Sequence, residues 1–244
     1  MKKAAIVLGA TMIPAASVMA APSFVKSASQ FVTPASQTDG PGYTYAQGEY
    51  IPHGNVDHAG NDVTGYGGDV SVGFATHSNF PIHPILQGGF HRLNLHDSPV
   101  GVNQAYVGLG GEGFYDYGGR KGTGLGYYGT VNYERLELRD VPGGTGGNDA
   151  TGDGYGISAG LRWMVAPQVE INPHATYVDY GEVSGSGLDY GSPDGFKYGL
   201  QLVGYLDQAQ HYALTAGYDR SDLDVGRNNA DFDNVVNVGA RFTF

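Results

Sequence analysis

Single charges stand among apolar and small neighbours along much of this chain: Asp69, Glu112, Glu134, Arg162, Glu170, His174, Lys197, Asp219 and Arg241. Carboxylates gathered around a histidine can move protons. A ring of charges can select ions in a water-filled passage. The same groups, paired with one another, can also fill an interior and do no chemistry. Eight histidines are present, but none has the compact spacing of a metal motif, so no metal site and no cofactor is expected from local sequence. Which chemistry applies depends on where these side chains point, and that is set by the elements that carry them.

The chain ends NVVNVGARFTF. One parity reads Phe244, Phe242, Ala240, Val238, Val236, and the other Thr243, Arg241, Gly239, Asn237, Val235. A period of two with one apolar face is a strand. Nine more segments share the pattern and are separated by turn-forming residues. They are 43–51, 64–76, 84–95, 103–115, 124–138, 154–165, 169–180, 196–206 and 211–220, with 234–244 as the tenth. In 154–165, for example, Tyr155, Ile157, Ala159, Leu161 and Trp163 oppose Ser158, Gly160 and Arg162. The class is all-β.

Residues 1–20 combine Lys2 and Lys3, a short apolar run and the small residues Val18-Met19-Ala20, which read as a secretory signal peptide. Residues 21–42 are rich in Ser, Pro, Ala and Gln and read as a flexible segment. The alternating domain is 43–244. The chain has no cysteine, so no disulfide holds the exported protein together. Its 41 glycines disfavour helices, and its 18 tyrosines favour strands and membrane interfaces. A net charge of −11 makes nucleic acid an unsuitable partner. The slightly negative mean hydropathy is compatible with a membrane barrel, whose lipid-facing and lumen-facing residues cancel in an average.

The connections are expected to alternate in length. Those after the second, fourth, sixth and eighth segments are short or modest, and those after the odd segments are mostly long and polar. Such sorting describes an up-and-down antiparallel barrel spanning a membrane, most simply with ten strands, or eight if the weakest outer segments are excluded. Tyr43, Tyr115, Tyr155, Trp163, Phe196, Tyr212, Phe242 and Phe244 fall near strand ends and are assigned to interfacial girdles.

On these residues the sequence resembles the small outer-membrane β-barrel proteins of Gram-negative bacteria, often labelled porin-like. The resemblance covers about 43–244. Its sharpest element is the C-terminal signal read by the barrel-assembly machinery, matched here by Asn237, Gly239, Phe242 and Phe244 within 237–244. The family implies a cell outer-membrane location, with membrane lipid, lipopolysaccharide and the assembly machinery as partners, and a structural or small passive-pore role.

With apolar residues outward, the inward charges are Asp69, Glu112, Glu134, Arg162, Glu170, His174, Lys197, Asp219 and Arg241, joined by Glu49. They read as a pore lining or as a packed polar core. The narrowness of a ten-stranded barrel, and inward Tyr106, Phe114, Tyr128 and Tyr205, favour the core. Pro173 predicts a bulge in the seventh segment. The third segment is open to a one-residue register change, because Arg92 shares parity with Phe90.

Two other classes stay open. Some barrels of this kind are proteases or lipid-modifying enzymes with a site at the outer mouth, and the resemblance then directs attention to His91, His96, Asp97, Asp179 and Asp219; no local motif of those enzymes is present, so an enzyme is not expected. A soluble secreted β-protein that binds a ligand is the other. Acidic residues crowd the connections: Asp140, Asp149 and Asp153; Glu182, Asp189 and Asp194; Asp222, Asp224, Asp231 and Asp233. They suggest weak divalent-cation binding shared with lipid head groups, or a plain solvated rim.

Overall fold

Alternation carries the chain into strands, and backbone hydrogen bonds join them edge to edge. The computed structural model describes residues 42–56, 61–74, 82–96, 98–116, 122–141, 149–185, 187–225, 228–229 and 232–244, all within one compact unit, Pro34–Phe244. The signal-peptide and flexible-segment assignments over 1–41 lie outside them.

Ten long strands form the fold: β1 (Tyr45–Val56), β2 (Asn61–Gly73), β3 (His83–Leu95), β4 (Gly101–Asp116), β5 (Gly124–Arg139), β6 (Ala150–Ala166), β7 (Val169–Asp179), β8 (Asp194–Tyr205), β9 (Tyr212–Val225) and β10 (Phe232–Thr243). Three two-residue ladders, Ser184–Gly185, Leu188–Asp189 and Asn228–Asn229, decorate one rim. Each long strand pairs antiparallel with its neighbours in sequence, and β1 pairs with β10. The result is a closed ten-stranded up-and-down barrel.

The register fixes its dimensions. Ladder partners lead from Tyr212 through Phe242, Ala46, Val70, Gly88, Val107, Tyr133, Tyr155, Asp179 and Asp194 to Asp224. One circuit therefore climbs about 12 residues along β9; with about 3.3 Å per residue and about 4.8 Å between strands, the strands tilt by about 40° and the backbone radius is about 10 Å. Inward side chains from opposite walls meet across that space.

The outer face is zoned. An aliphatic band includes Val70, Leu109, Val131, Ile157, Leu200, Leu202 and Leu214, all exposed. Tyr115, Trp163, Tyr212 and Phe244 ring one rim, and Tyr50, Tyr66, Tyr133, Tyr155, Phe196 and Tyr218 lie toward the other. From Trp163 to Tyr155 is about 26 Å along the strand, or about 20 Å of height at this tilt, close to the thickness of a lipid-facing band.

Three expectations change, and the open register of β3 is resolved. Tyr43 is not in a girdle: it is 4% exposed and turned into the barrel. The connections are less sorted than their composition suggests. Of the connections expected to be long, residues 57–60 and 96–100 are brief and 140–149 and 180–193 stand out, because polar stretches continue the ladders, as in Arg135↔Asp153 and Asp194↔Asp224; on the other rim, 74–82 is nearly as long as 140–149. The turn 206–211 and the loop 184–193 do lie on opposite rims. Pro173 makes no bulge: its side chain faces outward, its register with β8 is continuous, and the register between β6 and β7 shifts at Met164/Ala166 beside their turn instead. In β3, Phe90 and Arg92 share the outward face, while Ile85, Gln87, His91 and Leu93 point inward.

Candidate functional site in the barrel lumen

The lumen is built in three layers. Its floor lies at the rim carrying the chain terminus. Arg162 on β6 is 2% exposed and grips Glu170 on β7 with two parallel bonds, Nε to Oε1 at 2.7 Å and Nη2 to Oε2 at 2.8 Å. The Tyr205 hydroxyl donates to Glu170 Oε2 at 2.8 Å, and Arg241 Nη1 lies 3.6 Å from Oε1. Arg241 also donates to Gln47 Oε1 at 2.9 Å and Gln201 Oε1 at 2.6 Å. Charge-assisted, partly bidentate bonding is the arrangement that makes a buried ion cluster tolerable.

This floor spans the barrel. Strands β1 and β6 are five places apart in a ring of ten, on opposite walls. Arg162 Nη1 nevertheless donates to the Gly42 carbonyl at 2.7 Å, and its guanidinium lies 4.7 Å from the Tyr43 ring centroid. The Tyr43 hydroxyl reaches the carbonyls of Gly113 on β4 and Tyr127 on β5, at 3.4 and 3.3 Å. The segment entering β1 thus lies across the lumen. Glu112 joins this end, 2% exposed.

The opposite end carries an apolar layer, the roof. Val63, Leu93, Val102, Leu136, Val178, Leu223 and Val235 cluster with Tyr180 and Val183 from the 180–193 connection. Inward apolar residues at strand ends were invisible to a reading that assigned the apolar parity to lipid throughout.

Between floor and roof is a polar cavity of about 270 Å³. His91 Nε2 on β3 lies 2.9 Å from Glu49 Oε1 on β1 and 3.7 Å from Asp69 Oδ2 on β2. His174 Nε2 on β7 lies 2.9 Å from Asp219 Oδ1 on β9, whose Oδ2 accepts from Asn237 Nδ2 at 2.6 Å. In each pair the two partners sit on strands separated by a third, and that strand presents glycine. A Cβ on Gly67 would collide with the His91 imidazole, and one on Gly199 with both His174 and Asp219. Lys197 Nζ lies 3.9 Å from Glu134 Oε2 and 3.4 Å from Gln104 Oε1, beneath the Tyr180 ring.

All the charges assigned inward line this interior, Glu49 among them. His91 is the addition. Its outward neighbours Phe90 and Arg92 fix its parity, which is the signal the sequence held. The residues considered for a catalytic mouth do not converge. His91 and Asp219 sit in different pairs, Asp179 Oδ1 accepts from the Gly181 amide, and His96 is exposed. Asp97 lies outside the described residues. Several acidic connection residues serve local bonds: Asp149 accepts from the Asp140 amide, Asp153 pairs with Arg135, Asp189 accepts from the Gly191 amide, and Asp194 accepts from Tyr177. Glu182, Asp222 and Asp224 are exposed, and the side chains of Asp231 and Asp233 lie outside the described residues. Within the terminal signal, Asn237 faces the lumen, Gly239 packs against Gly48 and Thr215, and Phe242 and Phe244 stack edge-on outside at 4.8 Å.

No family model and no curated protein matches the chain. Among solved structures, Neisserial surface protein A is 13% identical, with a TM-score of 0.38, over 82% of this chain and 96% of that one. An outer membrane channel from Pseudomonas putida F1 is 11% identical, with a TM-score of 0.43, over 84% and 96%. The translocator domain of the autotransporter NalP from Neisseria meningitidis is 14% identical, with a TM-score of 0.40, over 93% and 98%. The barrel assignment rests on this chain's own strand pairings.

Proposed function

We propose that this chain is an integral β-barrel of the cell outer membrane with a closed lumen, a structural wall element rather than an open pore. The observation that carries the reading is the Tyr43–Arg162 contact across the barrel, locked by Glu170. An aliphatic outer band between aromatic zones supports placement in lipid, since a closed barrel leaves no unpaired strand edge there. Phe244 and its neighbours in the terminal motif support recognition by the barrel-assembly machinery, with lipid and lipopolysaccharide as surroundings. The narrow radius and the floor that spans it support a block to ion flow: an ion crossing the barrel would have to break the buried Arg162–Glu170 pair. The test is current through planar bilayers holding the refolded protein. A silent baseline with folded protein is expected, and steady open-channel steps from the unmodified chain would favour a passive pore instead.

A further inference from the structure

Three donor groups converge on one wall of the cavity and are not used by the floor or the roof. We propose that Glu49, Asp69 and His91 form a binding site for one divalent transition-metal ion of the zinc class. One donor atom of each residue lies within 4.8 Å of the other two, the one such group among the described residues, and His91 Nε2 is nearest to Glu49 Oε1 and Asp69 Oδ2. An ion held at about 2.1 Å from each donor separates neighbouring donors by about 3.0 Å at right angles and about 3.4 Å in a tetrahedron. The observed 2.9 and 3.7 Å bracket those values, so small side-chain rotations complete the site.

The arrangement has the marks of a set site rather than a chance crowd. Each carboxylate has its other oxygen held from behind. Tyr106 donates to Asp69 Oδ1 at 2.9 Å, and the Gln47 amide approaches Glu49 Oε2 at 3.5 Å. The remaining oxygen of each is left facing the same imidazole nitrogen, which is how surrounding hydrogen bonds orient metal ligands. One imidazole Nε2 carries at most one proton and so can satisfy only one carboxylate, and Asp69 Oδ2 at 3.7 Å is beyond hydrogen-bonding distance. A dication satisfies both at once. Three strands supply one ligand each, and glycine at position 67 gives the imidazole its path over β2. The ligands keep 8–24% side-chain exposure, so the fourth position opens to the cavity and is filled by water. One nitrogen and two oxygens favour zinc, cobalt or manganese over calcium, which takes more oxygen ligands.

The proposal does not depend on whether the lumen conducts. Full-length protein refolded in detergent is titrated with Co²⁺ alone, read by visible absorption, and the ion is then displaced by Zn²⁺. One equivalent is expected to bind the wild type, at least ten-fold more weakly to His91→Gln, and unchanged to His174→Gln, which alters the other lumen pair. No spectral change in folded wild type, or wild-type binding by His91→Gln, overturns the proposal in favour of no site or a surface histidine. A second measurement needs no variant. Zn²⁺ is expected to protect His91 of the wild type from diethyl pyrocarbonate, located by mass spectrometry, and His91 modified equally with and without Zn²⁺ also overturns it.

Discussion

Glu170 holds the floor of the lumen, and replacing it with glutamine isolates its contribution. Its side chain is completely buried and accepts from Arg162 at 2.7 and 2.8 Å and from Tyr205 at 2.8 Å, with Arg241 at 3.6 Å. Glu170→Gln is nearly isosteric, so it opens no cavity. It leaves Arg162 with no carboxylate partner in a buried layer, and removing one member of a buried pair costs about 3–5 kcal/mol. Arg241 is cushioned, because Gln47 and Gln201 still accept from it. The lower half of the range, about 3 kcal/mol, is therefore expected. Trp163, the single tryptophan, faces outward, and its fluorescence during reversible urea unfolding in lipid vesicles reports the change. The double variant Arg162→Met with Glu170→Met removes both charges and should lose less than the single variants Arg162→Met and Glu170→Met combined. A loss below about 1 kcal/mol for Glu170→Gln, or simple additivity in the double variant, would refute the idea that this pair locks the floor.

Three further outcomes are expected. Leu200→Arg places a charge on the aliphatic band and should cost about 2–4 kcal/mol in the same assay. Gln201→Arg, one residue on, is also costly because Gln201 accepts from the buried Arg241, so a tolerated Gln201→Arg would contradict the floor network. Phe244→Ala should lower the amount of folded barrel in cells while leaving detergent refolding nearly intact, as comparing the two yields will check. The Tyr212 amide donates to Asp207, in the turn after β8, and holds its carboxyl below its ordinary value of 3.8. A depressed folded-state pKa stabilises above the unfolded value, and that contribution disappears as pH falls through the folded one. The stability gap between wild type and Asp207→Asn should be present at about pH 5 and shrink below about pH 4; a gap unchanged at pH 3 would count against the turn bond.

Most of the wall was legible in the sequence because side-chain direction in a strand has a period of two. Once Tyr155, Ile157 and Trp163 are placed outside, Arg162 must be inside. What the pattern does not encode is closure. Tyr43 looks like a girdle tyrosine, yet it lies just before the β1 ladder, where alternation no longer governs, and it is drawn inward by Arg162 on the far wall. Pro173 needed no bulge because an outward proline on a strand whose other edge keeps its register costs little more than missing bridges on the β6 side. The cluster of Glu49, Asp69 and His91 was hidden for another reason. Its members lie on three strands, and lateral registers bring them together where no local spacing could.

The most direct test is nitroxide accessibility at positions 198 and 200–203, using single cysteines in a chain that has none of its own. The protein is refolded in lipid vesicles, and collisions are measured with oxygen, which concentrates in lipid, and with a water-soluble nickel chelate. Labels at 198, 200 and 202 are expected to collide with oxygen, while those at 201 and 203 collide strongly with neither reagent. Nickel collisions at the inward positions would mean an open aqueous lumen, and nickel collisions at 198, 200 and 202 would mean that the apolar face does not meet lipid.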